Sequence, residues 1–116
     1  MTWAGLHASA FVLKLRPGMA EEYRRRHAAI WPEMAAALRA GGIVHYTIWL
    51  DEPGLRVFGH MLRDRPPAEG PEDPVVLRWR AHMADVLEME GDRPARIPIE
   101  QVFLLTAGDD QSNENR

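Results

Sequence analysis

Between two stretches of helical periodicity this chain carries a hairpin signal: IVHYTIWL from Ile43 to Leu50, then DEPG, then LRVFGHML from Leu55 to Leu62. Apolar, β-branched and aromatic runs flanking a short turn of Asp, Glu, Pro and Gly fold back on each other as paired strands. Strand signals stand near both ends as well. AFVLKL, from Ala10 to Leu15, is short, apolar and closed by Pro17-Gly18, and IPIEQVFLL reads as a last strand.

The first helical stretch runs from Met19 to about Ala40, with Tyr23, His27, Ile30, Met34 and Leu38 recurring in steps of three and four along one face. Pro32 lacks an amide donor and crowds the preceding turn, so a kink or break is expected near Trp31. The outer face carries Arg24, Arg25 and Arg26, with Glu21–Arg25 and Glu22–Arg26 as favourable pairs, and reads as a solvated surface. Gly41-Gly42 ends the helix by admitting left-handed backbone. The segment DRPPAEGPED is loop, and Asp73-Pro74 supplies an N-cap and a first-turn proline for a second helix. That helix presents Val76, Trp79, Met83 and Val86 or Leu87 on one side, with Gly91 just past its end.

The order strand, helix, strand, strand, helix, strand predicts an α+β chain of the ferredoxin-like βαββαβ kind, with two helices over one face of an antiparallel sheet. Residues 1–105 make a single domain, and the polar tail at 106–116 is expected to be disordered. Two helices cover one sheet face, yet the strands are apolar on both: Phe11, Leu13 and Leu15 oppose Ala10 and Val12, and Val44, Ile48 and Leu50 are expected to oppose Ile43 and Trp49. A homodimer packed through the second face is therefore expected, of the dimeric α/β barrel type.

Composition narrows the chemistry. The chain has no cysteine, which removes disulfides, thiolate catalysis and cysteine-ligated metals. A net charge of −3 provides no field to attract nucleic acid or an anionic membrane, so neither is an expected partner. MTWAGLHASA lacks the basic and apolar regions of a signal peptide, and a cytoplasmic protein is the expectation. There is no glycine-rich phosphate loop, no G-x-S-x-G and no H-E-x-x-H.

Polar aromatic side chains are the remaining tools. Tyr23 and His27 lie one helical turn apart, Tyr46 shares its strand face with Val44 and Ile48, and Trp79 can wall the same cleft from the second helix. An inward histidine is more often a packed core residue than a catalyst, but convergence with two phenols and an indole suits a polyhydroxy ligand. Sugars stack their C–H face on such rings and need donors and acceptors around the rim. A pair of carboxylates for glycoside cleavage is not evident, since Asp51 and Glu52 belong to the turn and Glu33 follows Trp31-Pro32. His45 and His60 stand on adjacent hairpin strands, but no third ligand offers itself, so no metal site is expected.

The segments AFVLKLRPGMAEEYRRRHAAIWPEM, GGIVHYTIWL, LRVFGHM, RWRAHM and EQVFLL together resemble the L-rhamnose mutarotase family over about Ala10 to Leu105, with Y-x-x-x-H-x-x-x-W-P-E the most specific part. The resemblance implies a homodimeric ferredoxin-like fold, no cofactor, no metal, and interconversion of the α and β anomers of L-rhamnose or a related 6-deoxy sugar, a monosaccharide substrate. It places the proton-transferring catalyst on His27 and substrate contacts on Tyr23, Tyr46 and Trp79. Arg80 stands where the family usually shows a second Trp and is read as a further substrate contact, while Leu62 and Leu104 stand where the family is often polar. The alternatives are a non-catalytic sugar or small-molecule binding dimer of the same fold, and a cofactor-free oxygenase on the same scaffold.

Overall fold

The computed structural model describes residues 2, 3 and 5–107, so the tail from 108 onward lies outside the described residues. The architecture is α+β. Strands β1 (Thr2–Trp3) and β2 (Leu6–Lys14) precede helices α1 (Ala20–Ala28) and α2 (Pro32–Ala40). The hairpin β3 (Ile43–Asp51) and β4 (Arg56–Arg63) follows, then α3 (Pro74–His82), a small hairpin of β5 (Met89–Glu90) and β6 (Arg93–Pro94), and β7 (Arg96–Ile99).

The main sheet is antiparallel throughout. β3 pairs β4, β4 pairs β2, and the far edge of β2 is shared by β1 and β7. The hairpin turn is held by Asp51, whose carboxylate accepts from the Gly54 amide at 3.1 Å and pairs with Arg56 at 2.8 Å.

Sharing an edge explains one departure from the sequence expectation. The last strand stops at Ile99 instead of running to Leu105. Ala10 pairs Ile99, so continuing the register would set Val102 against His7 and Phe103 against Leu6, but those positions already pair with Thr2 and Trp3 of β1. With its ladder partner taken, the chain beyond Ile99 leaves the sheet.

Pro32 produces a break rather than a kink. Trp31 has extended backbone (ψ 131°) and caps α2, with Pro32 at the first helical position, where a missing amide costs nothing. Asp73 caps α3 as expected, accepting from the Val75 amide at 2.9 Å. That helix ends at His82, earlier than its apolar spacing suggests, and Met83, Val86 and Leu87 reach the core from the turns that follow. Gly91 consequently sits in the β5–β6 turn with φ of 70° and not at a helix end.

The core lies between the helices and one sheet face, joining Val57 of β4 and Leu15, just past β2, to Ala20, Tyr23, Met34, Val75, Trp79, Met83 and Val86. Arg26 departs from the solvated surface expected for the arginine run: its side chain is only 12% exposed and bridges Glu22 at 2.6 Å and Asp85 at 2.8 Å, fastening α1 to the chain after α3. Glu22 also pairs with Arg25, and Glu21 with Arg24 at 3.1 Å instead of with Arg25. Among the described residues no helix is long and apolar enough to cross a membrane.

Phe11 is buried and faces Gly59 on the neighbouring strand, where an added Cβ would overlap the phenyl ring. Gly59 is therefore required for close approach, not for an unusual φ. Gly59→Ala is expected to displace Phe11 and to destabilise the domain by about 1–3 kcal/mol, the usual cost of overpacking. A urea titration beside wild type checks it; an unchanged midpoint would contradict this account of Gly59.

Candidate active site

Helix α1 sets Tyr23 and His27 one turn apart, and their rings stack with centroids 4.2 Å apart and planes 24° from parallel. Trp79, from α3, meets the imidazole edge-on at 5.4 Å. Trp31, placed at the helix break, meets Trp79 edge-on at 5.1 Å, and His82 lies against both indoles at 5.2 Å and 5.5 Å. The break thus lets Trp31 turn onto α3 and close the cluster from outside. From the sheet, Tyr46 meets Phe11 edge-on at 6.3 Å, and Arg96 of β7 lays its guanidinium over the Phe11 ring at 4.3 Å.

One contact fixes the chemistry of the imidazole. His27 Nδ1 lies 3.2 Å from the backbone oxygen of Tyr23. A carbonyl can only accept, so Nδ1 carries the proton and donates it, which leaves Nε2 of the neutral ring with its lone pair. Burial lowers the histidine pKa from 6.5, and the bond to Tyr23 only partly opposes that shift. The ring is accordingly a neutral base at physiological pH.

The two phenols move in the opposite direction. Burial raises Tyr23, with a further contribution from nearby Tyr46, and burial pushes Tyr46 up to about 12 against the opposing charge of Arg96. Both stay protonated and can donate. Neither makes a hydrogen bond to another described residue, yet the one side-chain polar atom both sealed from solvent and unpartnered among the described residues is Gln101 Oε1. The phenol oxygens and His27 Nε2 are therefore not fully sealed from solvent.

The structure thus brings together Tyr23, His27 and Trp79, and places Tyr46 against Phe11 on the helix side of the sheet. Arg80 is engaged elsewhere, bound through both terminal nitrogens to Glu72 at 2.5 Å. Glu33 lines an open groove between α2 and α3 with Asp73 and Arg78, so it supplies no carboxylate beside the imidazole. His45 and His60 do share a face, with ring centroids 6.3 Å apart, but it is the face turned away from the helices. No group of three or more His, Asp or Glu side chains among the described residues could hold a metal ion. Sequence reasoning passed over Phe11, His82 and Arg96 as neighbours of the site. His82 could have been found three residues after Trp79, and Phe11 by its strand parity with Leu13, whereas Arg96 depends on a pairing register that sequence does not fix.

Comparison with known proteins identifies the family. The family model described as L-rhamnose mutarotase matches residues 8–105. The L-rhamnose mutarotase of Sinorhizobium fredii is 45% identical over 100 residues, covering 84% of this chain and 96% of the relative. That of Verminephrobacter eiseniae is 48% identical over 101 residues, covering 83% and 93%. The crystal structure of an L-rhamnose mutarotase from Formosa agariphila superposes with a TM-score of 0.76 at 29% identity, covering 86% of this chain and 99% of that one. Since the match runs from within β2 through β7 with all three helices, and includes every aromatic residue of the cluster, the chain belongs to the L-rhamnose mutarotase family.

Proposed function

We propose that this protein is an aldose mutarotase that interconverts the α and β anomers of L-rhamnose or a related 6-deoxy sugar by general acid-base catalysis. The observation that carries the proposal is the neutral His27 ring, held by the Tyr23 carbonyl and stacked on the protonated Tyr23 phenol, with Nε2 not sealed from solvent.

Ring opening removes the proton of the anomeric hydroxyl and delivers one to the ring oxygen. His27 Nε2 accepts the first proton, and the imidazolium so formed returns a proton to the ring oxygen. The C1–O5 bond breaks as the C1 carbonyl forms; rotation about C1–C2 and closure in reverse give the other anomer. No electrons are gained or lost overall. Tyr23 and Tyr46, whose raised pKa values keep them as donors, bind hydroxyls of the sugar, and Trp79 supplies the flat apolar wall. Arg80 would reach the sugar only on leaving Glu72.

Saturation-transfer NMR of anomer exchange in L-rhamnose tests this reading. Acceleration by catalytic amounts of the protein is expected; binding of the sugar with no acceleration would select a non-catalytic sugar-binding protein instead.

The finer architecture belongs to the same proposal: a ferredoxin-like βαββαβ unit that pairs with a second copy as a dimeric α/β barrel. The face of the sheet away from the helices supports this. Val12 pairs Phe58 and Ile97, Ala10 pairs Ile99, and Trp49 pairs Phe58, so these side chains share one side. Trp49 is 69% exposed, and Ile97 and Ile99 are also exposed. A continuous apolar face of this kind is normally covered. Trp49→Glu is expected to shift the protein from dimer to monomer in sedimentation velocity, and a wild type that sediments as a monomer would overturn the pairing.

A further inference from the structure

We propose that Arg96 is a specificity-determining residue whose guanidinium binds the sugar hydroxyls opposite the anomeric carbon. The assignment rests on the mutarotase reading and adds a ligand group that neither the helix motif nor the tyrosines provide.

Register places the side chain. Arg96 pairs Leu13 and Pro98 pairs Phe11, and directly paired residues of an antiparallel ladder project to the same side. Arg96 thus leaves the sheet on the side of Phe11 and Leu13, which is the side packed beneath the helices. The cation–π contact with Phe11 at 4.3 Å holds the guanidinium in place. Its donors are unspent, because among the described residues Arg96 makes no ion pair or side-chain hydrogen bond, whereas Arg80 and Arg26 are each satisfied by carboxylates. A cation fixed by one face and open along its edge is built to receive oxygen atoms.

Position along the site supplies the rest of the argument. Two aromatic pairs lie on the helix side of the sheet, His27 stacked on Tyr23 and Tyr46 against Phe11, and Arg96 stands over Phe11 and not against the imidazole. In a pyranose the C4 hydroxyl lies across the ring from C1. With C1 held at His27, the C3 and C4 hydroxyls face the guanidinium, whose parallel N–H groups match two vicinal oxygens.

The simpler alternative is an exposed arginine that only covers Phe11 with its stem. Arg96→Met separates the two, since it keeps a stem over the ring and removes the donors. For L-rhamnose, KM is expected to rise about tenfold to a hundredfold in Arg96→Met, as for a lost charge-assisted hydrogen bond, with kcat within about threefold of wild type. Wild type should discriminate against 4-deoxy-L-rhamnose by a similar factor, and Arg96→Met should treat both sugars alike. An unchanged KM in the variant, or discrimination as strong as in wild type, overturns the assignment. If Arg96→Met melts well below wild type, Arg96→Lys, which keeps the charge but not the fork, carries the same comparison and is expected to fall between the two. Direct sugar-binding titrations of wild type and variant make the same comparison without turnover, with a matching loss of affinity expected in the variant. A wild type that binds sugar but does not speed exchange would sink the mutarotase reading and leave the role of Arg96 to be decided by those titrations.

Discussion

His27→Asn lowers kcat for anomer exchange by about a hundredfold to ten-thousandfold, the usual weight of a positioned acid-base group, and leaves the domain folded. The fold survives because the imidazole is only half-buried at the edge of the core, and its main packing loss is the stack on Tyr23 at 4.2 Å. Far-ultraviolet circular dichroism and saturation-transfer NMR on the same sample check both halves. Equal exchange rates in the variant and wild type would remove His27 from the mechanism.

The pH profile follows from the same ring. Burial holds the His27 pKa below 6.5, so the base form stays populated as pH falls through that value, and activity declines only at lower pH, where the ring takes up its proton. On the alkaline side Tyr46, pushed up to about 12, and Tyr23, raised further, stay protonated. The expected profile is flat from neutrality to about pH 9. An acid limb centred above 6.5 would contradict the burial argument.

Trp79→Ala has the largest expected effect on stability. The indole is 8% exposed, belongs to the core, and touches His27, Trp31 and His82 at once. Truncation removes a large apolar surface and leaves a cavity, costing about 3–5 kcal/mol. Because domains of this kind have only about 5–15 kcal/mol in total, a marked fall in the urea midpoint is expected. Trp79→Phe retains most of the packing and is expected to keep the fold while weakening sugar binding through the smaller wall. If Trp79→Ala melts like wild type, Trp79 is not the joint between α1 and α3 that its contacts describe.

Much of this molecule could be read from its residues in order. The hairpin around DEPG, the proline after Trp31, the Asp73-Pro74 helix start and the Tyr23–His27 spacing each encode a local geometry, and each is present as expected. Local signals are legible because backbone dihedrals, caps and helical periodicity depend on neighbours a few residues away. The end of α3 and the end of β7 were not legible. Met83, Val86 and Leu87 keep a helical spacing although turns carry them inward, and IPIEQVFLL keeps a strand-like composition although β1 occupies the edge it would need. Both depend on which other segment reaches a position first.

What the sequence alone determined was the set of elements, the apolar stripe of the first helix and the presence of an imidazole and phenols on it. Tertiary structure decided that Arg26 fastens α1 instead of facing water, that Arg80 is spent on Glu72, and that Arg96 stands over Phe11. The reason is physical: a charged side chain is committed by whichever opposite charge or ring lies within a few ångströms, and that neighbour comes from a remote part of the chain through a strand register and a helix crossing that local composition does not specify.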